Sequence, residues 1–272
     1  MSRIITALIV LPILIASILF DWLALLFVAL AAAAMIAGLY EFWLLAGKRA
    51  LKANAGVGFL GAAALFTLFY LDAPATGPDL LVLTLVALTI VVLTLEMLKG
   101  APFDKMIGAA GATLLGVLYV VLLGGHLVAL RMGFPQVQAA HLLCFFFLVI
   151  MGSDTGAYYT GRAMGRRKLA PKISPGKTWE GALGGMLASL LMAVLAHYWF
   201  FHELPLKWAL PLSALMNVLG VLGDLTESAL KRGAGAKDAA QILPGHGGLL
   251  DRLDSLLFNA PVIYYFGHFY FK

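Results

Sequence analysis

Residues 139–160, AAHLLCFFFLVIMGSDTGAYYT, form an apolar stretch that ends in polar residues. A helix needs about 20 predominantly apolar residues to cross the hydrocarbon core of a bilayer. This stretch has that length, and Asp154 lies inside it. A charge in lipid is costly, so an acid at this position is expected to face a bundle interior or a polar cavity. The stretch therefore predicts a membrane helix that contributes to a polar interior.

The whole chain has the composition of an integral membrane protein. It has 272 residues, of which 62% are hydrophobic and only 12% are charged, whereas a soluble protein carries roughly 25% charged residues. Apolar stretches predict an all-α, polytopic membrane protein with about nine transmembrane helices, of which the first, third and last are short. The predicted spans are 4–20, 22–46, 55–71, 80–98, 106–130, 139–160, 181–201, 208–230 and 255–271.

The basic residues indicate the orientation of these helices. If the N-terminus is cytoplasmic, 16 of the 19 Lys and Arg residues fall in cytoplasmic segments, and only Arg131, Lys207 and Lys272 fall outside. Cytoplasmic loops are normally the basic ones. The net charge of +5 then follows from topology and anionic lipid headgroups, so no nucleic-acid partner is needed to explain it.

The two parts of the chain differ in polarity. Spans before residue 105 contain few polar groups, and those after residue 150 contain most of them. We therefore divide the chain into N-terminal hydrophobic helices, 1–105, and a catalytic region, 106–272, whose site faces the cytoplasm.

Residues 228–255, SALKRGAGAKDAAQILPGHGGLLDRLDS, concentrate charge within a membrane protein. Cations and glycines suit phosphate oxygens, and carboxylates suit a divalent metal. Asp224 and Glu227 lie three residues apart, as do Asp251 and Asp254. Residues at that spacing share a helix face, so two helix ends could present carboxylates to one Mg²⁺. The alternative is that these acids only pair with Lys231, Arg232 and Arg252.

A second basic stretch, Ser174–Gly181 (SPGKTWEG), is predicted to form a turn that leads into a helix. It is not a Walker A motif, because Pro171 stands where the first glycine is required. Lys177 and Thr178 at a helix N-terminus still form a sound anion site. The alternative is a basic loop that only sets topology. A third stretch is Ser153–Tyr158, SDTGAY.

Together the three stretches resemble the motifs of the phosphatidate cytidylyltransferases, or CDP-diacylglycerol synthases. The resemblance spans about residues 153–255. It implies that CTP and phosphatidate are converted into CDP-diacylglycerol and pyrophosphate for phospholipid biosynthesis. It also implies a Mg²⁺ cofactor, with a second cation left open, and a multi-pass location in a bacterial cytoplasmic (inner) membrane. The resemblance also implies a homodimer. Gly181 and Gly185, four residues apart, are only a weak pattern for the helix packing that a dimer would need.

We assign site residues on this basis. Asp224 and Asp251 are expected to bind the metal, with support from Asp254 and from Asp154; the alternative for Asp154 is a structural pairing with a Tyr or with Arg162. The phosphates are expected to contact Lys177, Lys231, Arg232, Lys237 and Arg252, beside Ser174 and Thr178. Gly245, Gly247 and Gly248 are expected to supply backbone N–H groups. His246 is predicted to contact phosphate, to act in proton transfer or to brace its loop.

Three alternative functions are open to this chain. A polyprenol kinase that uses CTP would transfer only the γ-phosphate. A CDP-alcohol phosphotransferase would need an Asp-Gly dipeptide, which this chain lacks. A secondary transporter would place polar groups near the bilayer midplane in two similar halves, whereas here the charges collect at the cytoplasmic edge and the halves differ.

Overall fold

The computed structural model describes residues 2–236 and 248–272, and helices dominate this part of the chain. Short 3₁₀ turns, Asp21–Leu23 and Phe103–Lys105, precede α2 and α6. The helices are α1 Ser2–Leu19, α2 Ala24–Gly47, α3 Ala55–Tyr70, α4 Ala73–Thr76, α5 Pro78–Leu98, α6 Met106–Gly116, α7 Leu123–Gly133, α8 Gln136–Met164, α9 Trp179–Trp199, α10 Leu206–Gly233 and α11 Leu250–Phe271.

The predicted all-α polytopic fold is confirmed. Each predicted apolar stretch corresponds to a helix or a continuous helical run. Among the described residues, six runs are long and apolar enough to cross a membrane, while α1, α3 and α11 fall outside that set. The six are Asp21–Gly47, Pro78–Leu98, Phe103–Gly133, Gln136–Met164, Trp179–Trp199 and Leu206–Gly233. Nine crossings and a cytoplasmic N-terminus stay predictions.

Aromatic side chains contribute to the interior of the bundle, and leucines line part of its outer surface. Phe145 and Phe146 of α8 are fully buried with Phe201 and with Tyr264 of α11. By contrast, α9 exposes leucines at every fourth position, which places them on one helix face. This stripe comprises Leu183, Leu187, Leu191 and Leu195. An exposed apolar stripe of this kind suits contact with lipid.

A β-hairpin joins α8 to α9, where the sequence predicted only a turn. Strands β1 (Lys168–Ala170) and β2 (Ser174–Thr178) pair in antiparallel register. The Thr178 hydroxyl then caps α9 by accepting the Gly181 N–H at 3.1 Å, as Thr does at helix N-termini. The prediction that Ser174–Gly181 forms a turn leading into a helix was therefore wrong for Ser174–Thr178, because backbone pairing with β1 extends this segment, whereas α9 does follow it.

The Gly181 and Gly185 pattern packs two helices of the same chain. A Cβ atom at Gly181 would lie 3.0 Å from the carbonyl oxygen of Ala157, and one at Gly185 would lie 3.1 Å from that of Ser153. Both carbonyls belong to α8. These glycines therefore serve contact between α8 and α9, and they give the homodimer prediction no support.

Gly223 allows α10 to approach α11 closely. A Cβ atom there would lie 2.5 Å from the carbonyl oxygen of Asp254, a backbone atom. We expect Gly223→Ala to destabilise the protein by about 1–3 kcal/mol, because α11 must shift, and to lower the thermal unfolding midpoint in detergent. Gly220→Ala is the matched control on the same helix, since its nearest neighbour, Asn259, is 3.4 Å away. Equal midpoints for the two variants would contradict this account.

A π-helical segment, Val117–Leu122, links α6 to α7. Such segments occur often at functional sites. Tyr119 in this segment is buried, and its ring lies against Phe42 of α2 and Phe258 of α11. Its hydroxyl has no hydrogen-bond partner among the described residues. The segment thus places a buried phenol between α2 and α11.

Polar contacts tie the helices together at the end of the bundle opposite the hairpin. Tyr264 donates to the Asp72 carboxylate, and Lys272 pairs with the same carboxylate at 3.1 Å. Arg131 lies 3.5 Å from Asp21. The two contacts with Asp72 hold the C-terminal end of α11, and the contact between Arg131 and Asp21 joins α7 to the turn before α2.

Candidate active site

A cavity of about 350 Å³ opens where α8 and α10 end and where α9 and α11 begin. Residues from all four helices and from the hairpin form its wall. They are Ser153, Asp154, Ala157, Tyr158, Gly161, Arg162, Leu169, Gly176, Lys177, Thr178, Gly181, Ala182, Gly220, Val221, Asp224, Asp251, Asp254 and Ser255.

The cavity brings together the three stretches that the sequence singled out. Asp154 comes from the third stretch, Lys177 from the second, and Asp251 from the first. Asp224 lies in the same wall, so the two helix ends do present carboxylates to one hollow. The roles of the individual residues stay predictions.

An ion pair joins the hairpin to α10. The Lys177 ammonium lies 2.6 Å from Asp224 Oδ2, and the Ser228 hydroxyl donates to Asp224 Oδ1 at 3.4 Å. Both charged side chains are partly accessible to solvent. Lys177 therefore lies beside the acid on α10, in reach of an anion that enters the cavity.

A second lysine joins α10 to α11. The Lys231 ammonium lies 2.7 Å from both Glu227 Oε2 and Asp251 Oδ1. Glu227 is only 1% exposed, and a buried carboxylate of this kind needs such a partner. Asp251 and Glu227 thus contact Lys231, one of the cations that the alternative named, whereas Asp224 pairs with Lys177, which the alternative did not include.

The described wall carries more acid than base. Four carboxylates, Asp154, Asp224, Asp251 and Asp254, face two cationic side chains, Arg162 and Lys177. The pKa of Asp254 is raised to about 7, mainly because its carboxyl group is buried and also because the negative charge of Asp224 is close to it. Burial also raises the pKa of Asp251, but hydrogen bonds with Glu227 and Lys231 outweigh it and hold that pKa below its usual range. The excess of negative charge favours a bound cation.

The donor chemistry fits a magnesium ion that is shared with a substrate. Within residues 2–236 and 248–272, no group of three or more His, Cys, Asp or Glu side chains could hold a metal alone. Mg²⁺ usually takes one or two carboxylates and completes its shell with waters and substrate phosphates. Asp224 and Asp251 match that smaller requirement.

Several predicted residues lie apart from the cavity wall. The described residues Ser174, Lys231, Arg232, Gly248 and Arg252 do not line it. Lys231 and Gly248 still contact Asp251, since the Gly248 N–H donates to Asp251 Oδ2 at 3.3 Å. Arg232 donates instead to the Ile173 carbonyl of the hairpin at 3.4 Å.

Lys237, Gly245, His246 and Gly247 lie outside the described residues.

The wall also contains side chains to which the sequence analysis gave no binding or catalytic role. Arg162 donates to the Tyr158 hydroxyl at 3.1 Å, four residues earlier on α8. Ser153 accepts a 2.6 Å hydrogen bond from Asn217 of α10. Ser153 and Tyr158 belong to the third stretch, which is the signal that could have identified them, and Arg162 follows Tyr158 by one helical turn.

Comparison with known proteins gives relatives that share one name, phosphatidate cytidylyltransferase. The protein of Haemophilus influenzae is 46% identical over 134 residues, which cover 48% of this chain and 46% of that protein. The protein of Staphylococcus saprophyticus is 38% identical over 192 residues, or 71% of each chain. That of Bacillus subtilis is 38% identical over 182 residues, covering 60% of this chain and 68% of the relative. The match thus spans about half of the Haemophilus protein and more of the other two.

The sequence model of the Cytidylyltransferase family matches residues 1–270. The resemblance seen in the three stretches is thereby confirmed, and the match extends into the N-terminal helices, which those stretches do not include. This chain, with its acidic cavity at the meeting point of four helix ends, belongs to the cytidylyltransferase family.

Proposed function

We propose that the chain transfers the cytidylyl group of CTP to phosphatidate, giving CDP-diacylglycerol and pyrophosphate. One observation carries the proposal: three stretches from distant parts of the chain line a single cavity that contains both acids and a lysine. The relatives above bear the name of this activity.

The residues suit a reaction between two anions. A phosphomonoester such as phosphatidate has a second pKa of about 6, so near neutral pH it is already a nucleophile and needs no strong base. What opposes the reaction is repulsion between the lipid phosphate and the triphosphate. Lys177, and Lys231 beside Asp251, offer ammonium groups that neutralise phosphate oxygens and hold them for in-line attack on the α-phosphorus.

Mg²⁺ belongs to this proposal. Asp224 and Asp251 would hold it, with Asp254 and Asp154 nearby to balance its charge; a second cation remains part of the same hypothesis. When bound, the ion would withdraw charge from phosphate oxygens and orient them. The protein's own part is to keep four carboxylates around one hollow and to keep lysines beside two of them.

The sidedness of the protein is also a proposal. The distribution of Lys and Arg supports a cytoplasmic face for the cavity, and the six apolar helical runs among the described residues support a multi-pass membrane protein. Because the matched relatives are bacterial, we propose the inner membrane as its location. The acyl chains would remain in the bilayer while the headgroup meets CTP at the surface. Nucleic acid has no role in this proposal, and the homodimer rests on the family resemblance alone.

A labelled-substrate experiment tests the function. Purified protein in detergent receives Mg²⁺, a panel of lipid phosphates and CTP labelled at either the α- or the γ-phosphorus. We expect α-label, and no γ-label, to enter a lipid product only when phosphatidate is present, with release of pyrophosphate. Transfer of γ-label to a polyprenol would instead indicate a kinase, and flux across liposomes without pyrophosphate release would indicate a transporter.

A further inference from the structure

A carboxylate from the N-terminal part of the chain reaches the start of α11. Glu41 lies in the apolar helix α2 and has no exposed surface. Its Oε1 accepts the Leu249 N–H at 2.8 Å, and its Oε2 accepts the Leu250 N–H at 2.7 Å. Two backbone donors more than 200 residues away therefore engage both oxygens of one buried acid.

The contact has a clear physical basis. The first N–H groups of a helix have no partners within the helix. A carboxylate satisfies them and also interacts favourably with the positive end of the helix dipole. A buried charge costs free energy unless it is well hydrogen-bonded. Glu41 meets this requirement through α11, so the position of the acid and that of the helix start depend on each other.

The same part of the chain also holds the end of α10. Arg49, in the turn after α2, donates from Nε to the Gly233 carbonyl at 2.5 Å. Gly38 of α2 lies against α11, since a Cβ atom there would be 3.2 Å from the Leu253 side chain. The described residues on both sides of 237–247 are thus held by α2 and the turn that follows it.

We propose that Glu41 is a positioning residue for the acids of α11. By fixing the first turn of that helix, it directs Asp251 and Asp254 into the cavity beside Asp224. The inference rests on the proposed function for its effect on turnover. Glu41 belongs to the N-terminal region 1–105, and the backbone groups that it accepts from belong to the catalytic region 106–272. The N-terminal helices would therefore contribute to the geometry of the site.

Glu41→Gln tests this role. The amide keeps the size of the side chain, but it loses the charge and turns one acceptor into a donor that faces an N–H group. We expect kcat to fall about 10- to 100-fold, as for residues that orient catalytic ligands, with the KM for CTP changed less than kcat. Glu96→Gln is the matched control: Glu96 is 5% exposed in α5 and pairs with Lys99. We expect it to keep wild-type kcat.

A second pair of variants leaves Glu41 intact and removes a donor instead. Leu249 has a φ of −70°, which proline also adopts. Leu249→Pro removes the N–H that Glu41 accepts, and Leu249→Ala keeps it. We expect Leu249→Pro to lower kcat, although by less than Glu41→Gln does. We expect Leu249→Ala to keep the wild-type kcat. This pair decides the question even if Glu41→Gln does not fold.

Amide hydrogen exchange supplies a readout that does not depend on activity. Without substrates, we expect the peptide that covers residues 248–256 to exchange faster in Glu41→Gln than in wild type, and Glu96→Gln to match wild type. Unchanged exchange, unchanged kcat in Glu41→Gln, or equal loss of kcat in both Gln variants would overturn the proposal. If wild type made no CDP-diacylglycerol, the proposed function would fail, while the exchange contrast would still decide whether Glu41 holds α11.

Discussion

Asp251→Asn is expected to lower kcat/KM by about 100- to 1000-fold, the range found when one preorganised electrostatic partner is lost from an active site. Asparagine keeps the size of the side chain and removes its charge. The proposed metal site would then lose one of its two carboxylates, and Lys231 would lose one of its two partners. The measurement is initial-rate formation of labelled lipid from CTP and phosphatidate over a range of Mg²⁺ concentrations.

The Asp251 prediction has a matched control in Asp104→Asn. Asp104 is an exposed acid in the 3₁₀ turn before α6, away from the cavity wall, and we expect its variant to keep wild-type rates. Near-normal turnover of Asp251→Asn would refute the metal role. Partial recovery at high Mg²⁺ would support that role, since a weakened site fills by mass action.

Lys177→Met is expected to lower kcat/KM for CTP by about 100-fold. Methionine keeps most of the apolar stem and removes the ammonium group. A hydrogen bond to a charged group contributes about 1.5–3 kcal/mol, and the loss also leaves Asp224 without its partner at 2.6 Å. Steady-state rates at varied CTP would show the loss as a raised KM, a lowered kcat or both.

Lys172→Met is the matched control for this second prediction. Lys172 is exposed in the turn between the two strands of the same hairpin, and it does not line the cavity. If Lys177 binds substrate, kcat/KM for CTP should fall strongly in Lys177→Met and change little in Lys172→Met. If the hairpin were only a basic loop that sets topology, the two variants would behave alike, and the assignment of Lys177 would be wrong.

Local sequence patterns predicted the fold and the main members of the cavity. Helix positions follow from apolar length, which is a property of each segment by itself. The convergence of Asp224 and Asp251 follows from similar reasoning: both lie near the ends of consecutive helices, so both reach the same face of the bundle. The cluster of charged residues in 228–255 indicated a functional region, because charged residues are rare in a membrane protein.

Contacts between distant segments were beyond the reach of the same reasoning. The pairing of Lys177 with Asp224 depends on a hairpin whose second strand contains Pro175 and Gly176, residues that favour a turn. Glu41 lies near the end of the predicted span 22–46. An acid in an apolar helix was the available signal, but its partners are backbone N–H groups that no sequence pattern reveals.

The two lysines of the site have a consequence for how ligands enter. Lys177 pairs with Asp224, and Lys231 pairs with Asp251 as well as with Glu227, so these side chains act as counterions for one another. Desolvated ions are costly when they stand alone. Under the proposed function, a nucleotide with its metal would bind by exchange: Lys177 and Lys231 would turn to phosphate oxygens, and Asp224 and Asp251 would be left to hold the metal. Either component arriving alone would leave one half of this exchange unbalanced.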